Sequence, residues 1–320
     1  MTEAPHSKPT SPIETVAVIG TGLIGAGWAT VFLANGLDVL AIDPAPGARD
    51  RLCETVRAMW PALVELGRAT GEPDFGCLRF AEAPGPDLAD VQLVQENAPE
   101  QLELKRALFA GIERFVSPET ILASSTSALL IGDIQTACAI PGRCIAAHPF
   151  NPPHLLPLVE VSGGALTDPE VLDRAMAFYA LVGKSPVLLK KEIQGHIAGR
   201  LGAALYREAV HLVAEGIATV EDIDAAVRNG PGLRWATNGP HMIYHLGGGE
   251  GGIRHYLDHL GDSQQRRWDD LGTPELTAKL RETLIAGTLA EAGKASVAEL
   301  CDARDRKLIQ LLAAFHGKSG

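Results

Sequence analysis

The chain has little cysteine, few aromatic residues and a deficit of positive charge. Its 320 residues include five cysteines and 5% aromatic residues, and 28 Lys plus Arg stand against 39 Asp plus Glu, a net charge of -11. No stripe of Lys or Arg with interleaved aromatic residues occurs, which argues against nucleic acid as a partner. The acidic balance by itself indicates only solubility.

The cysteines carry no metal-binding pattern. They form no C-x-x-C pair and show no spacing with histidine that is typical of zinc. We predict that they are free thiols, that the protein holds no metal, and that it works in the cytoplasm. The five are Cys53, Cys77, Cys138, Cys144 and Cys301.

One uncharged stretch, residues 15–37, has the length of a membrane span. Glycines break it into a strand-turn-helix pattern, and the acidic, Pro-rich leader before it lacks the basic start of a secretory signal. We therefore predict no membrane partner, and we expect residues 1–13 to be a disordered leader.

The run V-A-V-I-G-T-G-L-I-G at residues 16–25 is a short apolar strand entering a glycine turn that opens a helix. In such a turn Gly20 permits the tight bend, Gly22 lets backbone amides approach a pyrophosphate, and Gly25 lets the helix pack closely on the strand. The helix N-terminus then faces the phosphates. The pattern predicts a cofactor-binding turn made of Gly20, Gly22, Leu23, Ile24 and Gly25.

A second apolar strand ends at Asp43, eighteen residues beyond Gly25. A carboxylate there accepts hydrogen bonds from the ribose hydroxyls and repels a 2′-phosphate. Pro44 follows, where an Arg could otherwise bind that phosphate. The sequence therefore predicts NAD as the cofactor, in preference to NADP.

Ser127, His148 and Glu160 supply a hydroxyl, an imidazole and a carboxylate in sequence order. These groups suit removal of a proton from an alcohol while a cofactor takes the hydride: Ser127 holds the oxygen, His148 acts as base, and Glu160 fixes its tautomer. An isolated set of this kind is weak evidence for a catalytic site, since a lone His is more often a structural residue. The glycine turn makes the catalytic interpretation the stronger one.

The order of elements predicts an α/β fold, with a Rossmann-like doubly wound sheet followed by an all-α domain. We assign residues 14–192 to the NAD-binding domain and 193–320 to a helical domain that contacts substrate and forms a homodimer. The predicted strands are 16–20, 38–42, 91–94, 121–124, 143–147, 158–161 and 186–189, and the first helices of the second domain are 195–216 and 220–229, with Thr219 as N-cap.

Over nearly its whole length the chain resembles the 3-hydroxyacyl-CoA dehydrogenase superfamily. The matching motifs are V-I-G-T-G-L-I-G, Q-E-N-A-P-E with a following Lys, S-S-T-S, H-P-F-N-P, L-V-E-V and a G-K before the last strand. The resemblance implies a catalytic pair of His148 and Glu160, with the Ser127 hydroxyl on the substrate oxygen. It also assigns Glu100 and Lys105 to the cofactor site.

One position departs from that family. Where hydroxyacyl-CoA enzymes carry Asn in a G-F-I-V-N-R run, residues 195–200 read G-H-I-A-G-R and place Gly199 there. Glycine has no amide to polarise a carbonyl, and the residue that takes over this role is not identified by the sequence. Segments 232–236 and 244–256 resemble a subgroup, the L-carnitine dehydrogenases, with lambda-crystallin and L-gulonate 3-dehydrogenase as nearby relatives. The implied reaction is NAD-dependent oxidation of the 3-hydroxyl of L-carnitine to 3-dehydrocarnitine.

The charges of residues 45–76 favour a small substrate. Four arginines there stand against five acids, so the segment offers the phosphates of coenzyme A little electrostatic gain. A quaternary ammonium is recognised by aromatic faces, and a carboxylate by cations. The candidates are Trp235, Tyr244 and Tyr256 for the ammonium, Arg254 and Arg234 for the carboxylate, and Phe150 with Asn151 as cleft residues.

Each of these aromatic and basic residues could instead be a core or surface residue. Three other functions stay open at this point: a 3-hydroxyacyl-CoA dehydrogenase, an L-gulonate or other sugar-acid dehydrogenase, and a non-catalytic, crystallin-like NAD-binding protein.

Overall fold

A computed structural model describes residues 12–316. The predicted leader at 1–13 lies outside the described residues apart from its last two positions. The described chain forms two compact units, one running up to Gly199 and taking up the chain again from Arg304, the other comprising Arg200–Ala303.

The first unit contains one mixed sheet. Its strands are β1 (Thr15–Ile19), β2 (Asp38–Ile42), β3 (Leu78–Ala81), β4 (Leu93–Glu96), β5 (Ile121–Ser124), β6 (Cys144–Pro149), β7 (Leu158–Gly163) and β8 (Ser185–Leu188). They lie in the order β3-β2-β1-β4-β5-β6-β7-β8. The β6–β7 pair is antiparallel and the other pairs are parallel.

Helices cover both faces of this sheet, which explains why β1 carries buried apolar side chains on both of its faces. In β1, Val16 and Val18 belong to the core on one face. Ala17 and Ile19 belong to the core on the other. The flanking helices are α1 (Leu23–Ala34), α2 (Ala48–Glu65), α3 (Leu102–Ile112), α4 (Ile131–Gln135) and α5 (Pro169–Leu181).

Aromatic side chains hold α1 against α5. Trp28 of α1 is fully buried, with its ring 5.2 Å from that of Phe32 and 5.4 Å from that of Tyr179 on α5. The Tyr179 hydroxyl donates to the side chain of Gln95 at the end of β4, at 2.5 Å. The core is therefore tied to the strand ends that carry the candidate site.

The remaining helices are α6 (His196–Ala214), α7 (Val220–Asn229), α8 (Pro231–Trp235), α9 (Pro240–Gly247), α10 (Gly252–Asp270), α11 (Ala278–Ala292) and α12 (Val297–His316). Thr219 caps α7 as predicted, since its hydroxyl accepts from the amide of Asp222 in a capping box. The sequence predicts one helical domain for all residues from 193 onward. In the structure Ile309 and Leu312 of α12 pack with Leu155 of the first unit.

The predicted fold class is confirmed, a Rossmann-like sheet followed by helices. β2, β5 and α7 have the predicted bounds, and the other predicted strands differ by one or two residues at their ends. β3 was not predicted, because Arg79 interrupts its four residues and only Leu78 among them is buried, so they form no apolar run. Within residues 12–316 no helix is long and apolar enough to cross a membrane.

Candidate active site

The candidate side chains of the first unit gather at the carboxyl edge of the sheet. The glycine turn follows β1, Asp43 follows β2, and Ser127 lies after β5. Since β2, β1, β4, β5 and β6 are parallel neighbours, the segments after them emerge at one edge. In sheets of this type ligands bind at that edge.

The glycine turn has the geometry that its predicted roles require. Gly20 has a φ of +80°, and a Cβ on it would lie 2.8 Å from the carbonyl oxygen of Asn97. A Cβ on Gly25 would lie 1.9 Å from the carbonyl oxygen of Gly20, whereas one on Gly22 would meet nothing within 4 Å. The space beside Gly22 is therefore open for a ligand that approaches the backbone.

The amides at the start of α1 complete this turn. α1 begins at Leu23, and its first intrahelical bond is donated by Ala26 to the carbonyl of Gly22. The earlier amides, those of Leu23, Ile24 and Gly25, have no intrahelical acceptor and can bind an anion. Leu23 is 58% exposed at this end, and Ile24 packs against the core.

Asp43 is held by the glycine turn itself. Its carboxylate accepts hydrogen bonds from the amide of Thr21 at 2.8 Å, from the Thr21 hydroxyl at 3.0 Å and from the amide of Ala45 at 2.9 Å. Burial acts to raise the pKa of Asp43, but the hydrogen bonds from Thr21 and Ala45 outweigh it and lower the pKa. The group is thus a carboxylate, and the residues present fit an NAD ribose. Thr21 was missed by the sequence analysis, as it fills an unspecified position of the glycine motif.

Glu100 organises the loop that contains Ser127. Its Oε1 accepts from the Thr126 hydroxyl at 2.5 Å and from the amides of Ser127 and Ala128 at 2.9 and 2.8 Å. Burial acts to raise the pKa of Glu100, yet these bonds and the nearby Lys105 lower it. The Ser127 side chain is exposed. Its hydroxyl makes no hydrogen bond within the described part of the chain.

Lys105 lies beneath this loop. It is 1% exposed, and its Nζ donates to the carboxylate of Glu96 at 2.7 and 3.0 Å and to the carbonyl of Ala98 at 3.0 Å, with Glu100 at 3.4 Å. Lys105 is thus buried among these acceptors, and Glu100, one of them, also binds the amide of Ser127. Its part in cofactor binding stays a prediction.

The β6–β7 pairing brings His148 and Glu160 together. They are opposite residues of this antiparallel pair, so their side chains share one face. His148 Nδ1 lies 3.1 Å from Glu160 Oε2, and the side chains are 14% and 1% exposed. Since a carboxylate only accepts, Nδ1 carries the hydrogen and Nε2 is left with a lone pair. His148 Nε2 makes no hydrogen bond to any residue described.

The first turn of α6 holds the other side of Glu160. Its Oε1 accepts from the amides of Ile197 and Ala198 at 2.8 and 2.9 Å. Burial acts to raise the pKa of Glu160, but the hydrogen bonds from His148, Ala198 and Ile197 lower it. Glu160 is therefore an anion fixed against the imidazole.

His196, missed by the sequence analysis, lies against His148. The two rings are stacked, with centroids 4.8 Å apart and planes inclined by 14°. Its signal in the sequence is its position in the G-H-I-A-G-R run, in which Gly199 is the departure from the family pattern. A Cβ on Gly199 would meet nothing within 4 Å, so the space beside this position is open.

The substrate candidates fall into both units. In the first, Phe150 is 38% exposed and Asn151 precedes a cis peptide bond to Pro152. In the second, Trp235 is 43% exposed, and the ring of Tyr244, 41% exposed, lies 5.0 Å from that of Tyr256. Arg234 and Arg254 are exposed on α8 and α10. The described residues contain no group of three His, Cys, Asp or Glu able to hold a metal ion.

Two family models match the chain. One, described as the NAD binding domain of 3-hydroxyacyl-CoA dehydrogenase, matches residues 15–193. The other, described as its C-terminal domain, matches residues 195–284. The recognition of this family from the motifs is thereby confirmed, as is NAD as cofactor.

Curated relatives are similar over nearly the full length. The L-carnitine dehydrogenase of Streptomyces griseus is 48% identical over 94% of this chain and 90% of its own. The L-carnitine dehydrogenase of Nocardiopsis dassonvillei is 46% identical over 98% of this chain and 95% of its own.

Solved structures agree with this assignment. A 5-formyl-3-hydroxy-2-methylpyridine 4-carboxylic acid 5-dehydrogenase, described as an NAD+-dependent dismutase, has a TM-score of 0.82 at 29% identity, over 96% of this chain and 100% of that one. The (S)-3-hydroxybutyryl-CoA dehydrogenase of Ralstonia eutropha has a TM-score of 0.65 at 25% identity, over 86% and 94%. The chain therefore belongs to the 3-hydroxyacyl-CoA dehydrogenase family and is an NAD-dependent 3-hydroxy dehydrogenase.

Proposed function

We propose that the protein oxidises the 3-hydroxyl of L-carnitine to 3-dehydrocarnitine with NAD. The observation that carries this proposal is the similarity to L-carnitine dehydrogenases, 48% identical over 94% of the chain for one of them. The His148–Glu160 pair supports it, since an alcohol can be oxidised only if its proton is removed as the hydride leaves.

His148 is the general base in this proposal. Its Nδ1–H is directed to Glu160, so the lone pair of Nε2 accepts the hydroxyl proton. The imidazolium that forms is stabilised by the Glu160 carboxylate, whose charge is kept by the amides of Ile197 and Ala198. Ser127 holds the substrate oxygen through its exposed hydroxyl, while Glu100 fixes its backbone.

NAD, when bound, supplies the hydride acceptor. The glycine turn and the first amides of α1 would hold its pyrophosphate, and Asp43 would hold a ribose and repel a 2′-phosphate. His148 takes the hydroxyl proton, and bound NAD would accept the hydride from C3, so that each oxidation would yield one ketone, one NADH and one proton.

The arginines of residues 45–76 support a small substrate over a coenzyme A thioester. Arg51 donates to the carbonyl of Pro46, Arg57 lies 4.7 Å from the ring centroid of Phe75, and Arg68 donates to a backbone carbonyl. Three of the four arginines thus already contact protein groups, which lessens what they can offer to phosphates.

For the two ends of L-carnitine we keep the residues named from the sequence. Trp235 and Tyr244 are the exposed aromatic candidates for the trimethylammonium, at about 0.5 to 2 kcal/mol for each cation–π contact. Tyr256, the third candidate, is buried with its ring 5.0 Å from that of Tyr244. Arg254 and Arg234 offer a cation to the carboxylate. Phe150 and Asn151 follow His148 and shape the cleft.

We further propose that the protein is a cytoplasmic homodimer formed through its helical domain. Its five cysteines are free thiols, as is typical of a reducing compartment. Four large apolar residues of the second unit are buried, namely Val210, Ile223, Tyr256 and Leu280. Many more are exposed there, and apolar side chains left exposed in such number mark a surface for a partner.

The deciding experiment measures NADH formation with NAD and, in parallel, L-carnitine, D-carnitine, L-gulonate and L-3-hydroxybutyryl-CoA. We expect turnover with L-carnitine and little with the others. Activity on the CoA thioester alone, or on L-gulonate alone, would replace the proposed substrate. NAD binding without turnover on any of the four would leave the cofactor assignment standing and remove the substrate proposal.

A further inference from the structure

His196 stands at the start of α6 in a conformation that is uncommon for its residue type. It is 3% exposed and has a φ of 49°, in the left-handed region that non-glycine residues seldom occupy. In the G-F-I-V-N-R run of hydroxyacyl-CoA enzymes, Phe occupies this position. A buried polar side chain in a strained conformation at the candidate site calls for a functional explanation.

The hydrogen bonding of His196 determines where its hydrogen lies. Its Nε2 is 2.9 Å from the carbonyl oxygen of Thr126, and a carbonyl only accepts, so Nε2 carries the hydrogen. Its Nδ1 is buried without a hydrogen-bond partner among the described residues. Protonation of Nδ1 would bury an unpaired N–H and place a positive charge beside His148, the ring that takes up a proton in the proposed reaction. Burial accordingly lowers the pKa of His196.

Three titratable groups act on His196. His148 of β6 opposes its protonation, whereas Glu160 of β7 and Glu100, in the segment after β4, favour it. Both carboxylates are already occupied by other donors, the amides of Ile197 and Ala198 on Glu160 and the loop of Ser127 on Glu100.

We propose that His196 is a positioning residue for the reaction, a neutral ring that fixes the plane of His148 and ties it to the segment bearing Ser127. The stack at 4.8 Å prevents the His148 imidazole from turning away from Glu160. The bond to the Thr126 carbonyl holds the residue next to Ser127. One side chain thus fixes the base and the oxygen-binding hydroxyl relative to each other. The inference rests on the proposed catalytic role of His148.

Two variants test the stacking on His148 and the hydrogen bond to Thr126 separately. His196→Phe keeps an aromatic face on His148 and loses the donor to Thr126. His196→Asn loses the aromatic face and keeps a polar donor, and Asn tolerates the left-handed conformation. Both are assayed as the full chain with NAD and the substrate that the four-substrate assay identifies, together with thermal unfolding to verify folding.

We expect both variants to fold and to lose about 10- to 100-fold in kcat, the cost of a misplaced catalytic group, while the KM for NAD changes less than about twofold. We also expect the ¹⁵N NMR signals of the wild-type His196 ring at neutral pH to report a protonated Nε2 and a bare Nδ1, as its contacts require. The inference is overturned if both variants keep wild-type kcat, if kcat falls only with the folded fraction, or if the hydrogen of the neutral His196 ring lies on Nδ1.

His148→Ala, measured alongside, separates this inference from the proposed function. If that variant keeps its turnover, the base assignment fails whatever His196 does. If it is inactive while both His196 variants are normal, the base assignment stands and the positioning role alone is wrong.

Discussion

His148 and Glu160 are twelve residues apart in sequence and 3.1 Å apart in space because β7 turns back along β6. An imidazole with a free Nε2 and an anion behind Nδ1 can accept a proton, and neither residue achieves this alone. The pair is also shielded, since Glu160 is 1% exposed and binds two amides of α6. At the scale of single residues, proton acceptance by His148 depends on which nitrogen of its ring carries the hydrogen.

Replacing His148 tests that arrangement directly. We predict that His148→Ala lowers kcat by about 10²- to 10⁴-fold, because the proposed mechanism makes His148 the base that accepts the hydroxyl proton, while the Kd for NAD stays within about threefold. The absorbance of NADH, followed at steady state or by stopped flow, measures kcat. Fluorescence quenching measures the Kd for NAD. Turnover close to wild type would show that another group is the base.

Glu160→Gln keeps the size of the side chain and removes its charge. We predict a loss of about 10²-fold or more in kcat, since the Gln amide can donate to Nδ1 and reverse the tautomer. Glu119→Gln is the matched control, because Glu119 is exposed just before β5 at the other end of the sheet. Equal effects of the two changes would contradict the role given to Glu160.

The β1–α1 turn shows how an element can be required for both folding and binding. Gly25 is needed because a Cβ would lie 1.9 Å from the Gly20 carbonyl oxygen, and Gly22 has open space beside it. We predict that Gly25→Ala lowers both thermal stability and NAD affinity. Gly22→Ala should leave stability of the NAD-free protein within about 1 kcal/mol, as a surface change does, and weaken NAD binding at least tenfold. Thermal unfolding measures the stability, and calorimetric titration measures the affinity for NAD. Unchanged NAD binding by Gly22→Ala would contradict the predicted cofactor position.

Helix α10 carries an apolar stripe on its exposed side. Ile253, Leu257 and Leu260, spaced by four and three residues, are 38%, 56% and 43% exposed. If this face forms part of the proposed dimer, the wild type should sediment at twice the 33.8 kDa chain mass and Leu257→Lys should weaken association at least tenfold. Asp258→Asn, one position away, controls for the change of charge, since it also makes the net charge more positive by one unit. A monomeric wild type, or a dimer equally affected by both changes, would remove α10 from the interface.

At the scale of the whole molecule, the free energy of unfolding in acid should depend on the protonation of one buried histidine. His154 is 6% exposed, and burial lowers its pKa to about 4. An unfolded histidine binds its proton near pH 6.5, so between about 6.5 and 4 the unfolded state holds more protons and the free energy of unfolding falls as the pH falls. This one group accounts for roughly 3 kcal/mol over that interval, at about 1.4 kcal/mol per pH unit.

We predict that His154→Gln removes much of this pH dependence, which urea unfolding at about pH 7, 5.5 and 4.5 measures. His241→Gln is the control, since His241 is exposed on α9. Identical pH slopes for the wild type and His154→Gln would show that His154 does not stay neutral in the folded protein.

The sequence by itself determined the family, the cofactor and the fold class, because local patterns carry them: glycine spacing in a strand-turn-helix, an acid after the second strand, and the change from strands to helices near residue 194. β3 was not predicted, since Arg79 interrupts its four residues and leaves no apolar run. The tertiary structure alone decided which nitrogen of His148 is free, that Lys105 is buried under Glu100, and that His196 stacks on His148. These depend on strand register and on contacts between residues far apart in sequence, which local spacing does not encode.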